Sequence, residues 1–191
     1  MQRTRNALPR ELPGDRGQVV GISGVCDQAA GRRSAISSVL WENGEPIEIG
    51  DLGGVAWNTP MAINQRGDVV GFANASADDG SDFNPRAFLW IRGKPVRNLG
   101  MLDGDDDSQA TGINARRQVV GTSCGTGGCR AFLWQNGAMQ DLNALVSVPD
   151  GMVLTVANDI DDLGRISGQA FDAATSGTRA FVAAPYLAIR R

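Results

Sequence analysis

Apolar residues stand side by side along this chain, and the doublets recur at a fixed spacing. Val19-Val20, Val69-Val70 and Val119-Val120 each precede a glycine, and Ile166-Ser167-Gly168 holds the same place once more. Ser38-Val-Leu-Trp41, Ala87-Phe-Leu-Trp90, Ala131-Phe-Leu-Trp134 and Ala180-Phe-Val182 keep step with them. Successive residues of a strand face opposite sides, so runs that are apolar at consecutive positions predict strands buried on both faces. No segment keeps a three-to-four-residue apolar period, and Gly or Pro interrupts almost every window. Helix therefore has little claim.

Two more motifs share the spacing of about 50 residues. Ala62-Ile63-Asn64, Gly112-Ile113-Asn114 and Asn158-Asp-Ile160-Asp161 come before the valine pairs. Ile49-Gly-Asp-Leu52, Leu99-Gly-Met-Leu102 and Asp141-Leu-Asn-Ala-Leu145 follow the tryptophan motif. The stretches Ile63 to Gly67 and Ile160 to Gly164 put Asn or Asp first and Gly last, which suits a tight turn ending in a residue at positive φ. Arg117 replaces that glycine in the third unit, so a less ideal turn is expected there. Asn43-Gly44 and Asn136-Gly137 are strong hairpin signals, and Gly93 closes a weaker one. One unit thus reads as four short antiparallel strands.

Four such units, at about 12–52, 62–102, 110–145 and 157–189 within a single domain 1–191, predict an all-β tandem repeat. A β-propeller with about four blades is favoured, because each blade of a propeller is sandwiched between neighbours. A β-solenoid or an irregular sandwich is the competing arrangement, but units of this length match kelch-type blades better. The first unit lacks a clear opening strand and the last lacks its Asn-Gly turn. Either Pro185 and Tyr186 to Ile189 supply a last strand that closes the ring, or the chain is an incomplete ring, an open arc.

Composition narrows the chemistry. At 42% apolar and 20% charged the chain belongs with globular proteins. No apolar run approaches the roughly 18 residues of a membrane-spanning helix. A net charge of −3 with scattered arginines offers no basic stripe for nucleic acid. There is no histidine, which removes the commonest general base and zinc ligand. The segment from Met1 to Leu12 has basic residues but no apolar stretch behind them. It does not read as an export signal, so the expectation is a cytoplasmic protein or a start internal to a longer exported chain.

The ordered set of motifs from Gly17 to about Phe181 resembles the HAF-repeat family of bacterial extracellular repeat proteins, named for His-Ala-Phe ahead of Leu-Trp. Here Ala87-Phe88, Ala131-Phe132 and Ala180-Phe181 match, while Arg86, Arg130 and Arg179 occupy the histidine place. The resemblance implies export to the cell envelope or beyond and a repeat β-fold, and it brings no catalytic residues.

Candidate sites are few. Cys124 and Cys129 flank a short loop between two strands and can face each other closely enough for a disulfide; two free thiols are the alternative, and a lone pair is too few for structural zinc. Cys26 has no obvious partner. Asp103, Asp105 and Asp107 offer oxygen ligands for calcium but lack the EF-hand spacing, so a solvated acidic loop is the plainer reading and no cofactor is expected. Trp41, Trp90 and Trp134 recur at one strand position and read as core. Trp57 lies outside the repeat and is the candidate exposed contact residue. No pair of carboxylates is marked out for glycoside hydrolysis.

The expectation is a non-catalytic scaffold or interaction module whose partner is a protein or glycan. Its loops from Ser23 to Ser37, Ala73 to Pro85, Ser123 to Arg130 and Ala170 to Thr178 vary in length on a repeated frame, which is where such folds place binding. A carbohydrate-active or other hydrolytic propeller is the alternative.

Overall fold

The computed structural model describes residues 17–24, 35–54, 56–75 and 84–185. They form four antiparallel meanders in chain order. Sheet one is β1 (Val19–Ser23), β2 (Ser37–Glu42) and β3 (Glu45–Glu48). Sheet two is β4 (Thr59–Ile63), β5 (Val69–Asn74), β6 (Pro85–Trp90) and β7 (Arg97–Asn98). Sheet three is β8 (Asp107–Ile113), β9 (Val119–Gly125), β10 (Gly128–Gln135) and β11 (Ala138–Asp141). A single helical turn, α1 (Leu142–Leu145), is capped by the Asp141 carboxylate accepting from the Asn143 N–H, and leads to sheet four. That sheet holds β12 (Met152–Ile160), β13 (Ile166–Asp172) and β14 (Gly177–Ala183). β12 starts ahead of the boundary near 157 that motif spacing predicts. Residues 12–16 and 186–189, assigned by sequence to the first and last units, lie outside the described residues.

The valine doublets of sheets two and three are each divided between two cores. Val69 packs between sheets one and two, with Val20, Leu40, Phe88 and Trp90. Val70 and Val119 meet between sheets two and three, with Leu89, Phe132 and Trp134. Val120 faces the next gap, with Leu133, Leu154, Ile160 and Ile166. The adjacent apolar positions thus do what two-faced burial requires, and the three cores stack the sheets side by side. Among the described residues no core joins sheet four back to sheet one, so the sheets form an open arc.

The glycine of Val-Val-Gly has a steric reason that periodicity does not reveal. β4, β8 and β12 each carry a bulge beside this glycine, at Pro60/Ala62, Ala110/Gly112 and Ala157/Asp159. A bulge pushes a carbonyl toward the neighbouring strand. A Cβ at Gly71, Gly121 or Gly168 would stand 2.1, 2.0 and 2.1 Å from the carbonyl oxygens of Thr59, Gln109 and Val156. Only glycine fits.

The turns follow their residues. Asn43-Gly44 and Asn136-Gly137 have positive φ at both positions, as a two-residue hairpin demands. Gly67 and Gly164 close the Asx turns at φ 79° and 83°, and Arg117 takes the same left-handed conformation at φ 60°.

Sheet four departs from the others. Ser167 stands where the second valine should be, and β13 alternates strictly: Ile166, Gly168, Ala170 and Asp172 are buried, while Ser167, Gln169 and Phe171 are exposed. One face meets sheet three and the other meets solvent.

Candidate interaction surface

The two rims of the stacked sheets differ. One rim carries the turns between first and second strands, 64–68, 114–118 and 161–165, always five residues long. Its polar side chains hold the frame. Asn64 Oδ1 accepts from the Arg66 and Asp68 N–H groups, and Asn64 Nδ2 donates to the Asn114 carbonyl at 3.1 Å. Asn114 repeats the pattern one sheet on, donating to the Asp161 carbonyl at 3.1 Å. Asp161 caps its own turn, and hydrogen bonds led by the Arg165 N–H hold its carboxyl below the usual range. Arg117 reaches back to sheet two, where its Nε and Nη2 meet the Asp68 carboxylate at 2.8 and 3.2 Å. Asp68 is 2% exposed. Thus the residue that weakens the turn by sequence ties two sheets together.

The opposite rim carries the loops between second and third strands, together with the connections between sheets. Those loops span 24–36, 75–84, 126–127 and 173–176, so nearly all the length variation lies here. Backbone contacts join loop to connection: Asn58 N donates to Ala35 O, Asp106 N to Cys124 O, and Ala173 N to Gly151 O. Cys124 and Cys129 are opposite partners in the β9–β10 ladder, their Cα atoms 4.1 Å apart, and form a disulfide across its tightest hairpin.

The arginines ahead of the three Ala-Phe pairs serve this rim. Arg130 binds Asp105 at 2.9 Å and Asp141 at 3.1 Å and donates to the Asp103 carbonyl. Arg179 pairs with Asp172, whose carboxyl the arginine's hydrogen bonds hold below its ordinary range. Arg86 donates to the Asn84 side chain at 2.7 Å.

The acidic loop is less free than its sequence implies. Asp105 is engaged by Arg130, and burial pushes the Asp107 carboxyl up. Among the described residues no three metal-ligating side chains converge. Asp103 is exposed at the loop surface.

Trp90 and Trp134 are buried between sheets, and Arg97 stacks over the Trp134 ring at 4.9 Å. Trp57 is half-buried in the connection from sheet one to sheet two, at φ 65°, rather than fully exposed. That is an uncommon conformation for a bulky residue. Its neighbour Asn58 anchors the segment through Nδ2, which donates to the Ile36 carbonyl at 2.5 Å. Cys26 lies outside the described residues.

No family model and no curated protein matches the chain. A solved structure does: the β-propeller domain of the Trilobed protease from Pyrococcus furiosus, described as having an open velcro topology. The TM-score is 0.54 at 13% sequence identity, over 95% of this chain and 50% of that one. The fold is propeller-like. The chain spans about half the length of that neighbour, and its four sheets are blades of an open arc. Sequence motifs located the blades; they did not show that Arg117 is an inter-blade tie, because its partner Asp68 lies 49 residues away.

Proposed function

We propose that this propeller-like arc is a non-catalytic interaction module, presenting its variable rim to a protein or glycan partner outside the cytoplasm. The observation that carries the reading is the asymmetry of the two rims. One is uniform and its polar groups are consumed in turns and ties between blades; the other holds loops from two to thirteen residues long on the same frame. A rigid scaffold with variable loops on one edge is the arrangement that suits recognition. The Cys124–Cys129 disulfide and the HAF-repeat resemblance support an oxidising compartment.

The test pairs an immobilised glycan and peptide array with a panel of chromogenic glycosides and peptide substrates, since the solved neighbour belongs to a protease. Binding is expected without turnover. It should be lost when residues 75–84 are replaced by the two-residue Thr126-Gly127 turn. Hydrolysis, or binding that ignores the loop exchange, overturns the proposal.

A further inference from the structure

A different surface lies at the end of the arc. In the two four-stranded blades, the fourth strand places an apolar side chain opposite the motif tryptophan. Met139 pairs with Trp134, and both pack between blades two and three. In blade two the β6–β7 register puts Val96 opposite Trp90, and both pack between blades one and two. Each of these two seams is therefore plugged at its margin by a tryptophan and its strand partner.

Among the described residues blade four has neither plug. Phe132 pairs with Gly121 and Phe181 with Gly168, so the registers align and Ala183 occupies the tryptophan position. Among the described residues β14 pairs with β13 alone. An indole-sized side chain has become a methyl, and the margin of the seam opens into a groove of about 780 Å³. Val146, Val148, Met152, Phe181, Ala183 and Pro185 line it. Five of them, Val146, Val148, Met152, Phe181 and Ala183, already pack against the core between blades three and four, so the groove continues an established seam. Val182, beside it on the strand, is 74% exposed.

We propose that this groove and the edge of β14 left unpaired among the described residues accept an extended strand from another protein, which completes blade four and seats a large apolar side chain over Ala183. Main-chain hydrogen bonds to an open edge supply the adhesion in such an addition, and the side-chain pocket supplies the selectivity. The chain's own complete blades define the occupant's chemistry: a short strand with an apolar residue where Met139 sits. The proposal uses a surface apart from the variable rim, so either can fail without the other.

The probe is a labelled peptide of Asn136 to Leu142, read by fluorescence anisotropy against the full chain. Saturable binding is expected. Met139→Asp in the peptide should weaken it at least tenfold, and Ala183→Trp in the protein should do the same by filling the pocket. The tryptophan variant restores the residue found in the other blades, and its circular dichroism should match the parent.

No saturable binding, or equal binding of the Asp peptide, overturns the proposal. Binding that emerges only after removal of residues 186–191 assigns the groove to the chain's own terminus and overturns it too. Concentration-dependent dimers dissolved by the peptide would assign it to a second copy, with the same consequence.

Discussion

Replacing Arg117 with glycine sets two opposing effects against each other. Glycine matches the residues at the equivalent turns, Gly67 and Gly164, and relieves a left-handed conformation worth about 1 kcal/mol for an L-residue. It also strips the guanidinium from Asp68, whose side chain is 3% exposed and would keep, among the described residues, the Asn64 amide 3.0 Å away. Removing one member of a buried ion pair costs about 3–5 kcal/mol. The Arg117 side chain is 38% exposed, so water can reach the gap and the lower end applies. The net expectation is destabilisation by about 2 kcal/mol, after the backbone relief is subtracted. Urea denaturation with linear extrapolation measures it, at unchanged m. Adding Asp68→Asn to Arg117→Gly should recover much of the loss, because the stranded charge is gone. Arg117→Gly as stable as the parent would refute the reasoning: the contact would then be worth no more than the backbone relief of about 1 kcal/mol that offsets it.

Gly121→Ala should destabilise by about 3 kcal/mol or more, since the new methyl would meet a backbone carbonyl that cannot yield; thermal melts beside an exposed-site Gly127→Ala control check it. Replacing Cys124 and Cys129 by serine should cost about 2 kcal/mol, the loop-closure value for so short a ring; denaturation with and without reductant should show the parent losing the same amount and the variant nothing. On acidification, the depressed carboxyls of Asp161 and Asp172 contribute stability that is full above the unfolded value of 3.8 and lost as pH falls through their folded values. Asp107, raised by burial, acts in the opposite sense, favouring the fold as it protonates. Asp172→Asn should flatten the acid limb of a stability–pH curve, and an unchanged limb would show that Arg179 gives nothing to that dependence.

Local rules carried the strands and turns. Val69-Val70 and Val119-Val120 announce two-faced burial because strand geometry alone sends neighbours to opposite sides. Asn43-Gly44 and Asn136-Gly137 announce their hairpins because few other pairs accept two positive φ values. What escaped the sequence depends on partners distant in the chain. Gly71, Gly121 and Gly168 answer bulges on another strand, and Arg117 answers a carboxylate one blade away. Trp57 stands outside the repeat, so no aligned position indicated how far its connection would bury it. The groove at Ala183 is visible only once register shows which residue is missing from the tryptophan series.

The division of the Val69-Val70 and Val119-Val120 doublets between two cores also governs how the molecule comes apart. Residues adjacent in sequence belong to different seams, so Val119→Ala and Val120→Ala weaken separate links rather than one shared store of cohesion. A stack held only by nearest-neighbour seams behaves as a one-dimensional array, loosening from its ends inward. Amides of β5, β6, β9 and β10, covered on both sides, should exchange last, and those of β14 among the first. Blades two and three then act as the clamp that keeps the rest in register while the outer blades breathe.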